Sequence, residues 1–196
     1  MLKKILFLCL LPAYFASCDT SKEFIVTDSY LASKSSGKKS SGKVYTYDTT
    51  LTEDDKKYFG KKLGVDPDEI LNVKLYNFIK SWEGTKYVYG GETRSGIDCS
   101  ALMQQLYTYV YNRELPRTAV EMSLDSRFEL FQPHGKLREG DLVFFRITEE
   151  KIISHVGIYL RNNKFFAANQ NGGVEIASLK KSYWKKNFMA AGRYKQ

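Results

Sequence analysis

Cysteine and histidine are scarce, three and two among 196 residues, and this limits both cross-linking and chemistry. Cys9 lies in an apolar run, Ile5 to Phe15, behind the basic start Met1-Leu-Lys-Lys4. The run is too short to cross a bilayer, which excludes a membrane-spanning anchor there, and it reads as the core of a signal peptide over residues 1–17. With Cys9 removed and Cys18 at the new terminus, Cys99 is the one thiol left in the body of the chain, and no disulfide can form within it. Acidic residues are missing from Lys180 to Gln196, where six Lys and Arg occur.

Phe15-Ala-Ser-Cys18 sets small residues before a cysteine, as in the cleavage and acylation site of bacterial lipoproteins. Cys18 is expected to carry lipid, worth about 0.8 kcal/mol per buried CH₂, and to tether the protein to a membrane of the cell envelope, as a periplasmic or outer-membrane lipoprotein. The alternative is an ordinary cut that leaves Cys18 as a loose thiol. Residues 18–45 are rich in Ser, Lys and Gly and are expected to form a flexible linker. Residues 46–196 then make one domain; 27% charged and 43% hydrophobic residues suit a single core. Loss of Lys3 and Lys4 with the leader lowers the formal charge from +8 to +6. The acid-free stretch is attracted to anionic polymer or lipid surfaces, or is a solvated basic segment that aids solubility. An exported chain is not expected to meet nucleic acid.

Thr52-Glu-Asp-Asp55 starts a helix that ends at Gly60 or Gly64. Asp66-Pro67 starts another, with Ile70, Leu71, Leu75, Phe78 and Ile79 at helical spacing, running to about Trp82. Leu102, Met103, Leu106 and Val110 mark a helix behind Asp98-Cys99-Ser100. A helix or loop reaches about Leu130, and the pattern then turns to alternation. Strands are predicted at 142–145, at 152–160 carrying His155, at 165–169 and at 174–177. The fold class is α+β, helices first and an antiparallel sheet second.

A thiol attacks as thiolate, and a helix N-terminus stabilises that anion through its dipole and free amides. Cys99 occupies such a place, and the amides of the Asp98–Ser100 turn suit the oxyanion of acyl transfer. Two histidines are available as base. His134 stands in a Pro-Gly loop, whereas His155 stands on a strand that fixes its ring, and Cys on a helix facing His on a sheet is the papain-type arrangement.

Five segments, in order, resemble the NlpC-type family of papain-like cell-wall peptidases: Trp82-Glu-Gly-Thr-Lys-Tyr-Val-Tyr-Gly-Gly91, Gly96-Ile-Asp-Cys-Ser100, Leu115-Pro-Arg-Thr118, Gly140-Asp-Leu-Val-Phe-Phe145 and His155-Val-Gly-Ile-Tyr159. The resemblance spans 71–194. It implies a papain-like domain that hydrolyses peptide or isopeptide bonds in peptidoglycan stem peptides, between D-γ-glutamyl and the diamino acid, with no metal and no cofactor. It implies Cys99 as nucleophile and His155 as base. Tyr87 matches a tyrosine lining the cleft, and Asp98 and Ser100 flank the nucleophile and bind the stem peptide's amine. Each has a structural alternative: a packed aromatic for Tyr87, a helix cap for Asp98, plain helix fit for Ser100.

The chain departs from the family at one position. The family's third polar residue, often His, orients the imidazole, and the ungapped match places it at Ala167, which accepts no hydrogen bond. Asn169, two residues on, shares the strand face. A three-residue loop that pairs Leu160 with Lys164 sets Asn169 opposite His155; a two-residue turn sets Gln170 there. Asn169 is therefore the expected orienter and Gln170 the second choice, with a polar loop as the alternative for both. Two other functions stay open: a catalytically weak peptidoglycan-binding module, and an amide or acyl transferase on the same scaffold. A monomer is expected.

Overall fold

The computed structural model describes residues 26–27, 44–45, 47–132 and 137–195. The expected signal peptide, Cys18 and His134 lie outside the described residues. Within the expected linker, β1 (Val26–Thr27) pairs antiparallel with β2 (Val44–Tyr45), so part of that stretch forms a two-stranded ribbon.

Helix α1 (Glu53–Leu63) begins at a reciprocal cap: Thr52 accepts from the Asp55 amide, and the Asp55 carboxylate accepts from Thr52. It stops at Gly64, in left-handed conformation at φ 68°. The helix expected to run unbroken from Pro67 is in fact two pieces. A 3₁₀ turn, Pro67–Glu69, ends at Ile70, and α2 (Val73–Trp82) starts afresh where Asn72 Oδ1 accepts from the Leu75 amide at 3.2 Å. Asn72 caps a new helix more readily than it continues an old one, and Leu71 is left exposed in the break.

A small hairpin, β3 (Glu92–Thr93) and β4 (Gly96–Ile97), leads into α3 (Cys99–Tyr111). Then come α4 (Ala119–Leu124), capped by Thr118, and strands β5 (Phe128–Phe131), β6 (Leu142–Phe145), β7 (His155–Tyr159), β8 (Lys164–Asn169) and β9 (Gly173–Ser178). Helix α5 (Ser182–Asn187) and β10 (Phe188–Tyr194) follow. The main sheet is antiparallel throughout, in the order β5-β10-β6-β7-β8-β9. The α+β class and the helix-on-sheet layout are as the sequence indicated. Strand β7 is shorter than expected at its start because the Ser154 hydroxyl accepts from the Ile147 and Thr148 amides and folds residues 152–154 into the connection.

The sheet divides the apolar interior in two. Val156, Ile158, Phe166 and Ala168 face the helices, against Phe78, Trp82, Leu102 and Leu106. Val143, Phe145, Tyr159, Phe165 and Ala167 face the other way, under Trp184 of α5. Burying both faces suits the near-continuous apolar runs of β6 and β8. Among the described residues no helix is long and apolar enough to cross a membrane.

Candidate active site

Cys99 is the first residue of α3. Its cap is Asp98, whose Oδ1 accepts from the Ala101 amide at 2.7 Å. Cys99 is 7% exposed and lines a cleft of about 310 Å³ with Tyr87, Asp98, Ser100 and Arg117. Because α3 packs on β7, the Val156 amide donates toward the sulfur, as do the amides of Ser100 and of Cys99 itself. These favour the thiolate, yet burial outweighs them and pushes the thiol up to about 11, with the Asp98 charge adding to the rise. The stabilisation expected of the helix terminus is therefore present, but it is overridden at rest.

His155 opens β7, one residue before the amide that meets the sulfur. Its ring is fully buried between Phe145 and Trp184, the latter nearly parallel to it. Loss of solvation holds the imidazole down to about 4, opposed by its contact with the Asn169 side chain. At neutral pH the pair is thiol and neutral imidazole. Among the described residues no hydrogen bond joins Sγ to the ring.

The β7–β8 register pairs Tyr159 with Phe165 and Ile158 with Phe166, and Leu160 N donates to Lys164 O at 2.9 Å. Continued along both strands, it sets His155 opposite Asn169. His155 Nε2 and Asn169 Oδ1 are both buried, and neither has a well-aligned hydrogen-bond partner. Ala167, fully buried, lies beside Gly157, and Gln170 turns out of the sheet to the Tyr87 hydroxyl. The arrangement needed for Gln170 to face His155 is not formed.

Tyr87 is half-buried at the cleft, its phenol raised mainly by burial and then by the charges of Cys99 and Asp98. Ser100 is buried, its hydroxyl donating to Asp98 Oδ1 at 3.0 Å. Asp98 also accepts from the Gly90 amide, and Gly90 reaches it from φ 71°, open to glycine. One residue of this site was given no role from sequence. Arg117 grips both Asp98 oxygens at 3.1 and 2.7 Å, the Ser100 hydroxyl at 2.9 Å and Glu92 at 3.0 Å. The signal available was a buried carboxylate in need of a cation, with Arg117 inside a quoted motif.

A sequence profile described as the NlpC/P60 family matches residues 84–193, more than half of the chain. The chain belongs to the NlpC/P60 family. It is 40% identical over 122 residues to the probable endopeptidase NlpC homolog of Haemophilus influenzae, covering 62% of this chain and 60% of that protein. It is 39% identical over 123 residues to the murein DD-endopeptidase MepS/murein LD-carboxypeptidase of Escherichia coli, covering 63% of each. The chain thus spans under two thirds of the length of these relatives. A solved NLP/P60 family protein of Staphylococcus aureus superposes with a TM-score of 0.55 at 28% identity, over 63% of this chain and 41% of that one. The NlpC/P60 domain of the peptidoglycan hydrolase SagA shares the fold, with a TM-score of 0.51 at 22% identity over 63% of this chain and 99% of that one.

The position at which the resemblance leads one to expect a third site residue is occupied by Ala167. Phe165, Ala167 and Trp184 pack closely on the far face of the sheet, where the resemblance leads one to expect a polar orienter.

Proposed function

We propose that this NlpC/P60 chain is a cysteine peptidase of peptidoglycan stem peptides, with Cys99 as nucleophile, His155 as general base and Asn169 as the residue that orients the imidazole. One observation carries the reading: the Cys99 sulfur sits in a cleft against the Val156 amide, beside His155 on the same strand. Free-enzyme hydrogen bonds between catalytic groups commonly tighten only when substrate arrives.

We assign Nε2 to Asn169, since both Nε2 and Asn169 Oδ1 are buried without another partner, and this leaves Nδ1 to take the thiol proton. Sγ attacks the carbonyl carbon, and the oxyanion is held by amides at the start of α3. Collapse of the tetrahedral adduct breaks the C–N bond, and the imidazolium returns the proton to the departing amine. Water, deprotonated by the same ring, then hydrolyses the thioester and frees the thiol. Tyr87 and the Asp98–Ser100–Arg117 cluster line the same cleft as Cys99, which supports a role for them in holding the amine-bearing end of a stem peptide. The N-terminal segment supports a lipid anchor at Cys18, which places the enzyme at the cell envelope.

Ala167 favours a second reading, a peptidoglycan-binding module with weak turnover. Incubating the protein with purified muropeptides and looking for new amines by mass spectrometry separates these. Cleavage lost in Cys99→Ala is expected. Binding without cleavage by the unaltered protein overturns the hydrolase in favour of the module, and products joined to an added amine mark a transferase. For the anchor, Cys18→Ala is expected to release the protein from membranes.

A further inference from the structure

We infer that Glu175 is a positioning residue of this site, fixing which end of the Asn169 amide faces His155. The inference rests on the catalytic reading above and adds a residue to which neither the sequence motifs nor the relatives assign a role.

Asn169 Nδ2 donates to Glu175 Oε1 at 2.9 Å. Strand pairing sets Glu175 directly opposite Ala167, and Ala167, Asn169 and His155 share one face of the sheet. The Glu175 carboxylate thus stands behind the vacant third position, on the side of Asn169 away from the ring. Its placement depends on a close approach: a Cβ on Gly172 would come within 2.5 Å of Glu175 Oε1.

The chemistry follows from donor and acceptor inventories. An amide offers oxygen at one end and NH₂ at the other, and rotation by half a turn exchanges them. An ionised carboxylate accepts only, so it binds the NH₂ end and leaves Oδ1 for the ring. Oδ1 accepts from Nε2–H, and the neutral imidazole then has its proton on Nε2 and a free lone pair on Nδ1. Turned the other way, the amide would donate to Nε2, place the proton on Nδ1 and leave no base for the thiol. A lone alanine at the third position is tolerated because the orienting work is shared by two residues on two strands. His155 Nε2 and Asn169 Oδ1, each buried and without a well-made partner, are the atoms this arrangement would join.

The test uses the full chain labelled with ¹⁵N-histidine, in which His134 provides a reference signal. The unaltered protein is expected to show His155 as the Nε2–H tautomer at neutral pH. Glu175→Leu is expected to lose that tautomer and to lower kcat by about 10- to 100-fold with KM nearly unchanged. Glu175→Gln keeps an accepting oxygen and is expected to restore most of both. Gly172→Ala keeps the carboxylate but displaces it, and is expected to fall between; it serves if Glu175→Leu does not fold. Identical tautomer, pH profile and kcat in Glu175→Leu and the unaltered protein overturn the assignment while the hydrolase stands. A protein that cleaves nothing, yet loses the Nε2–H form in Glu175→Leu, refutes the hydrolase and leaves the assignment intact.

Discussion

The indole of Trp184 lies over the imidazole of His155, ring centroids 5.4 Å apart and planes 25° apart. Trp184 also meets Phe145 and Phe165 edge-on, so a single side chain of α5 closes the apolar box around the candidate base. Desolvation is the largest cause of the low imidazole pKa, and this indole supplies part of it. Trp184→Ala is expected to raise the His155 pKa from about 4 toward its ordinary 6.5, followed by histidine NMR titration. It should also cost about 3 kcal/mol or more of stability, as large-to-small changes of a buried aromatic do.

Acid should weaken the fold through the same ring. The native pKa of about 4 lies below the ordinary 6.5, so between these values the unfolded chain binds a proton that the native imidazole refuses. Stability contributed by the neutral ring is complete above about 6.5 and is lost as pH falls toward about 4, by at most roughly 3 kcal/mol. Melting temperatures of the unaltered protein and His155→Gln should diverge over this window. Parallel curves would remove His155 as the cause.

Thiol chemistry should be slow at rest. With Cys99 raised to about 11, alkylation by iodoacetamide is expected to climb steadily from neutral pH into the alkaline range, with Cys99→Ser as the blank for other cysteines. A rate plateau spanning acid to neutral pH would instead identify a thiolate–imidazolium pair present before substrate binds.

Arg117 should not be replaceable by lysine. Its fork meets Asp98, Ser100 and Glu92 at once, and a point charge makes at most part of that set. Arg117→Ala leaves the buried Asp98 without its cation and should cost about 1–3 kcal/mol, read by urea unfolding. Arg117→Lys is expected to recover less than half of it, with stem-peptide KM raised in both.

Placing a histidine at position 167 should harm this chain. Ala167 has no exposed surface, and its Cβ already lies 3.0 Å from where a Cβ on Gly157 would stand. Ala167→His is expected to destabilise by about 1–3 kcal/mol through overpacking and to give no gain in turnover.

Helix starts were legible because their chemistry is local: Thr52, Pro67 and the Asp98-Cys99 step all mark real boundaries. The sequence left two partners open for His155, Asn169 and Gln170, according to loop length, and the three-residue loop between Leu160 and Lys164 selects Asn169. Strands β5 and β10 were not. Ala190-Ala-Gly-Arg193 has little β-propensity, and β10 exists because β5 and β6 flank it on both sides, while Arg193 finds a buried partner in Asp141 at 2.7 Å. Burial of the thiol was equally hidden, since position at a helix start is a property of a few neighbours and desolvation a property of the whole packing. Glu175 and Arg117 act across strands and loops, at separations no local pattern records.

Because β10 lies between β5 and β6, residues 188–194 must arrive before the sheet is continuous. A nascent chain on the ribosome therefore carries Cys99 and His155 long before it has the strand that joins β5 to the rest, and before Trp184 has covered the ring. The apolar enclosure of His155 is thereby among the last parts of the domain to be completed.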